Sequence, residues 1–119
     1  MTMLLPDAVK NSLLDSEFQS VYVSLHTGNP GTTGTNEVTG GGYIRQAENF
    51  SAASGGELVN AADIDFDDMP SCTVTYFGIW TASTAGTFKG GGPLAASKVI
   101  VATQTARFEA GDFVLGVSP

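Results

Sequence analysis

The sequence predicts an all-β fold: a single β-sandwich, jelly-roll-like, or a small barrel, with one short N-terminal helix, in one domain covering residues 1–119. Three observations predict it. Apolar and polar residues alternate at period 2 from about residue 20 onward. Clusters of turn-forming residues interrupt that alternation at short intervals: GNPGTTGTN, TGGG, SAASGG, TASTAG, KGGGP and EAGD. Helical periodicity is confined to the segment before Asp15.

The helix is expected over about 6–15, where Leu5, Ala8, Val9, Ser12 and Leu13 share helical spacing. Pro6 and Asp7 suit its first turn, which tolerates a missing N–H and favours negative charge. It is expected to cap an open end of the sandwich, the alternative being a docking arm. The first strand follows at Ser20–His26, with Val21, Val23 and Leu25 on the buried side and Tyr22, Ser24 and His26 on the polar side. Thr27–Gly42 is a loop of about 16 residues, long enough to be functional or disordered. Cys72–Trp80 is apolar or β-branched on both faces and is expected to be a central strand. Shorter strands are expected at Tyr43–Glu48, Glu57–Asn60, Asp63–Phe66, Lys98–Thr103, Thr105–Glu109 and Phe113–Val117. No repeat, heptad or linker is visible.

Composition narrows the function classes. The chain carries 12 acidic and 5 basic residues, a formal charge of −7, which argues against a nucleic-acid partner because counterion release needs clustered Lys and Arg. The N-terminal segment lacks the basic region and apolar run of a signal peptide or membrane span, so a soluble chain with no membrane partner is expected. One Cys excludes an internal disulfide, and with one His it cannot make a structural zinc site. Gly, Ser and Thr form about a third of the chain, so the surface is neutral and hydroxylated, suited to contact with other protein surfaces.

The constellations that could carry chemistry have structural readings. Asp63, Asp65, Asp67 and Asp68 alternate like calcium ligands, but Asp68 and Val74 stand where an EF-hand needs Gly and Glu. A strand with Ile64 and Phe66 in the core and its Asp side chains in water explains the pattern. His26 has no companion nucleophile motif and is expected to hydrogen-bond a loop backbone. Cys72 has no basic neighbour and reads as an inert, partly buried thiol. The glycine loops lack the phosphate-loop spacing and the helix that would follow it. No catalytic, cofactor-binding or metal-ligating residue is expected. Trp80 and Tyr43 could stack a sugar, though two aromatics in a β-protein of this size are more often core or rim.

Three stretches, VSLHTGNPGTTGTNEVTGGGYIR from Val23, FGIWTASTAGTFKGGGPL from Phe77 and FEAGDF from Phe108, together resemble a family of small virion proteins of tailed bacteriophages. The resemblance rests on LHT (25–27), Pro30–Gly31, Thr33–Gly34, Asn36–Val38, Gly41–Arg45, Gly78–Trp80 and Phe108–Gly111, and it leaves out mainly the amino-terminal helix. Asn29 stands where an acidic residue is common in that family. The resemblance implies a virion protein, made in the host cytoplasm and seated on the capsid or tail surface. No shaft-forming repeat is present, so the chain would be a knob or cap. The first expected function is capsid decoration: a cement that binds the major capsid protein, or a tail protein, and further copies of itself, with the long loop ordering on binding. The alternative is a receptor or host-glycan module. Partner contacts are expected at Asn29, Pro30, Thr33, Asn36, Glu37, Tyr43 and Trp80.

Overall fold

The computed structural model describes residues 6–18, 20–50 and 57–116. Leu5, the SAASGG turn and Val117 lie outside the described residues. Helix α1 spans Asp7–Phe18, longer than expected. The Pro6 carbonyl accepts the amides of Val9 and Lys10 (3.0 and 3.1 Å), which starts the helix. Phe18 at its far end packs against the core, beneath the Lys89 ammonium, 5.4 Å from the ring centre. Val9 and Leu13 stay 41 % and 50 % exposed, and among the described side chains of α1 it is Phe18 in the last turn that packs on the core. No described helix is long and apolar enough to cross a membrane.

Eight strands follow: β1 Val21–His26, β2 Gln46–Glu48, β3 Glu57–Val59, β4 Ile64–Phe66, β5 Cys72–Trp80, β6 Phe88–Ile100, β7 Ala106–Phe108 and β8 Val114–Gly116. The fold is all-β, as expected. A four-stranded antiparallel sheet in the order β2-β1-β5-β6 forms one layer, and the two-stranded ladders β3-β8 and β4-β7 complete the enclosure of one core. β5 is an inner strand with the predicted bounds. In β4, Ile64 and Phe66 are buried while Asp65 faces water, opposite Arg107 of β7.

Two expectations need correction. KGGGP is not a turn but lies within β6, which runs 13 residues and ends at Ile100; Val101–Thr103, expected as strand, pass into the next turn. Pro93 is accommodated on an edge strand, where one side of the backbone has no ladder partner among the described residues, and Gly91 is required because a side chain there would strike the Phe77 carbonyl. Second, the polar side of β1 is not solvated. Ser24 and His26 are 0 % exposed, because the long loop folds back over them. β2 is shorter than expected, since Tyr43–Arg45 leave the ladder to hold that loop. The remaining strands are trimmed at their ends, with Phe50 bridging Asn60 just outside β3.

Aromatic rings run through the core in one continuous series. Phe77 meets Phe113 at 4.9 Å between ring centres, Phe113 meets Phe108 at 4.8 Å, Phe108 meets Phe66 at 5.9 Å, and Phe66 stacks on Tyr43 at 6.0 Å. Each such pair adds about 0.5–1.5 kcal/mol beyond area burial. The series joins the main sheet to both ladders and ends at Tyr43, beside the long loop.

Candidate functional site

The loop expected to be free is built as a closed excursion of β1. His26 bridges Glu37, Thr27 N–H donates to Asn36 O (3.0 Å), and Val38 N–H donates to Leu25 O (2.9 Å). Between these ties the Pro30 carbonyl accepts the amides of Gly34 and Thr35 (2.9 and 3.0 Å). The Asn29 side chain accepts Gly31 N–H at 2.8 Å, an Asx turn, and the Asn36 side-chain amide donates to Asn29 O at 3.1 Å. Pro30 is buried and Thr33 is exposed at the tip. The expected ordering on binding is therefore corrected: the loop's own bonds order it.

A clasp holds the loop to the body. Glu37 accepts Arg45 through both oxygens, Nη2 to Oε1 at 2.9 Å and Nε to Oε2 at 3.0 Å, and Oε2 also accepts the Tyr43 hydroxyl at 2.8 Å. The Tyr43 oxygen in turn accepts the Leu25 amide (3.0 Å), and Arg45 Nη1 donates to the carbonyls of Ala82 and Ala85 (3.1 and 2.8 Å), drawing in the β5–β6 turn. The two ion-pair side chains are only 10 % and 20 % exposed. Burial pushes the Glu37 carboxyl up, but the Arg45 and Tyr43 hydrogen bonds outweigh it and hold the group below its ordinary value. Burial raises Tyr43, which stays a phenol.

Beneath the clasp, hydrogen bonds fix the proton positions. Thr35 O can only accept, so His26 Nδ1 carries the proton and donates to it (2.7 Å). Trp80 Nε1–H donates to Ser24 Oγ (2.8 Å), whose hydroxyl then donates to His26 Nε2 (2.7 Å). Burial lowers the His26 pKa, so the ring is neutral near pH 7. The expected bond from His26 to the loop backbone is this one to Thr35. Two glycines make room for the arrangement. A Cβ on Gly78 would lie 2.5 Å from Ser24 Oγ and 2.6 Å from His26 Nε2, and one on Gly34, at φ +79°, would lie 2.4 Å from the Trp80 ring. Serine and histidine within bonding distance resemble a nucleophile and base, yet Ser24 is sealed from solvent and His26 is oriented by a carbonyl rather than a carboxylate. What the arrangement does chemically is lock a loop.

The Trp80 ring is covered rather than presented to solvent, and Tyr43 is half-buried with its hydroxyl committed to the clasp. Trp80 is 9 % exposed, with Arg45 over its ring and the Phe88 ring 5.1 Å away. The structure brings Glu37, Tyr43 and Trp80 together around Arg45, while Asn29, Pro30 and Asn36 stitch the loop internally and Thr33 stands apart. Asp63 accepts Arg107 (2.6 Å) and the Ala110 amide (2.9 Å), which lower its pKa, and Asp67 accepts Thr105. Among the described residues no acidic, Cys or His cluster is arranged to hold a metal. Burial raises the Cys72 thiol. Sequence reasoning missed Arg45 as the hub, Ser24, and Asn60, which is 1 % exposed and donates to Ala62 O and Glu109 O while accepting Gly111 and Phe113 amides. Next to the clasp lies an open groove of about 370 Å³ whose rim includes Thr39, Ile44, Ser83 and Thr84.

The fold and the clasp define an all-β domain whose long loop is locked to its body. The chain belongs to the family described as podophage GP4 fiber I protein gp80, whose model matches residues 7–116, and it is thus a structural protein of a bacteriophage virion. No curated protein matches it. The family description names a fibre, which favours the tail-related reading over capsid cement.

Proposed function

We propose that the chain is a rigid, non-enzymatic module of a phage tail fibre, in contact with other tail proteins and with further copies of itself, rather than a cement of the capsid shell. The observation that carries this reading is the fate of the signature residues. His26, Glu37, Tyr43, Arg45, Gly78 and Trp80 are used to fasten the long loop, so these signature residues specify a stiff body rather than a catalytic or ligand-binding centre. The fibre assignment draws its support from the family description. Counting copies per purified virion and labelling the chain for electron microscopy tests it. A few to a few dozen copies, with label on the tail, is expected. Hundreds of copies with label on the head would replace the fibre with capsid decoration.

One observation favours a recognition role at the same location. The groove beside the clasp combines the exposed Ile44 side chain, 65 % accessible, with hydroxyls of Thr39, Ser83 and Thr84, a surface that suits a neutral polar ligand such as a host glycan. Particles carrying Ile44→Asp that assemble normally but adsorb poorly would support this role. Unchanged adsorption would remove it.

A further inference from the structure

The two edges of the main sheet are complementary to each other. At one edge, β2 carries Glu48, whose Oε1 accepts the Asn49 amide (2.8 Å) while Oε2 is buried with no hydrogen-bond partner. A buried carboxylate oxygen without a donor is costly and points to a missing partner. A cavity of about 240 Å³ opens there, lined by Ser20, Val21, Tyr22, Ala47, Glu48 and Asn49. At the other edge, β6 carries Lys89 and Lys98 and no acidic residue, on a chain whose net charge is −7. Among the described residues no strand pairs with the outer side of β6.

We infer that the β2 edge of one copy receives the Lys98–Ile100 stretch of β6 from a second copy, with Lys98 opposite Glu48, so that the two sheets continue as one. This deepens the reading above and rests on its expectation of neighbouring copies. Strand direction permits it: in an antiparallel sheet of four strands the two edges run in opposite senses, so a similarly oriented copy docks antiparallel with its core on the same side. The faces also agree. Glu48 and Gln46 lie on the core side, opposite Val21 and Val23, while Lys98 and Ile100 lie on the core side, opposite Val74 and Cys72. Ala47 and Val99 lie on the outer side of their strands, and Val99 is 73 % exposed. Pairing Glu48 with Lys98 therefore sets Ala47 against Val99 and Gln46 against Ile100, every pair on a shared face. Pro93, Lys89 and the irregular stretch between the Tyr76 and Val74 pairings guard the rest of β6 against arbitrary strands. Two β6 edges facing each other would instead leave Glu48 of both copies without a lysine opposite it. The β2–β6 contact is heterologous, so it closes into a ring or propagates.

Sedimentation equilibrium and light scattering of the full chain test the inference. Concentration-dependent association is expected, weakened about tenfold or more by Glu48→Lys, Lys98→Glu or Val99→Asp. Lys98 also donates to Arg107 O (2.7 Å), so thermal melting must first confirm that Lys98→Glu folds; Glu48→Lys and Val99→Asp carry the test if it does not. Mixing Glu48→Lys with Lys98→Glu chains restores association, because each remaining contact joins opposite charges. A chain that stays monomeric, or reversals that leave association unchanged, overturns the inference. A monomeric chain that is nevertheless labelled on the tail sinks the inference alone; association through residues 48 and 98 in a chain absent from the tail sinks the fibre reading alone.

Discussion

The Arg45 guanidinium lies 3.7 Å from the centre of the Trp80 ring while its fork holds both oxygens of Glu37. One side chain thus ties the long loop, the β5–β6 turn and the central strand. Arg45→Ala removes all of these bonds and leaves a mostly buried carboxylate without its cation. A loss of about 2–4 kcal/mol is expected, discounted for the partial exposure of Glu37. Arg45→Lys recovers less than half of it, because an ammonium cannot fork and cannot lie flat on the indole. Urea unfolding of the two variants checks both statements.

Asn60 is a second keystone, joining the end of β3 to the β7–β8 turn through both its donors and its acceptor. Asn60→Ala strands the buried Phe113 amide and removes the bonds to the part-buried Ala62 and Glu109 carbonyls, while Gly111 N–H keeps the Asn60 backbone carbonyl, and it is expected to cost about 1–3 kcal/mol. Asn60→Asp presents an acceptor to the Ala62 and Glu109 carbonyls when ionised. Its folded pKa is therefore raised, and the variant loses stability as the pH rises above the ordinary Asp value, a dependence the Ala variant lacks. Melting temperatures at acid and neutral pH distinguish the two.

Gly34 combines a left-handed backbone with contact against the only tryptophan of the chain. Gly34→Ala is expected to lift the loop from Trp80 at a cost of about 1–3 kcal/mol. Trp80 emission reports it, moving to longer wavelength as water reaches the ring. Unchanged emission with unchanged stability would show that the loop is not held there.

Acid should unlock the clasp in two stages. The unfolded chain protonates His26 at its ordinary value of 6.5, whereas burial delays protonation in the fold to lower pH. Between those values the unfolded state binds more protons, so stability falls as the pH drops below 6.5 and this contribution levels off under the folded pKa. Glu37 acts further down: its stabilisation is complete above the ordinary 4.5 and is lost as the pH falls toward the depressed folded value. Urea midpoints followed from about pH 7 to about pH 3 should show both stages, with His26→Gln abolishing the first and Glu37→Gln the second.

Much of the body was legible because burial imposes period 2 on a strand, as in Ile64–Phe66 and in the inner side of β1, and because an inner strand such as β5 is apolar or β-branched on both faces. β6 was not, since Gly and Pro signal turns by local preference while their tolerance on an edge strand depends on a neighbour distant in sequence. Likewise Ser24 and His26 read as a solvated face because nothing local reveals that residues 27–42 return over them. The pieces of the clasp were visible in the signature, but not their meeting point: Arg45 bonds Glu37 across a loop and Ala85 across four strands' worth of chain. Asn60 carries no local mark at all.

The pairing of Tyr22 with Trp80 and of Leu58 with Leu115 has a kinetic consequence. No layer of this protein can be finished by an emerging N-terminal half. β1 waits for β5, and β3 waits for residues 114–116, so loop-closure entropy is met late and nearly all at once. A ribosome stalled before Val114 would hold a chain with exposed core strands. The last strand made is thus the one that closes the β3–β8 ladder and with it the core.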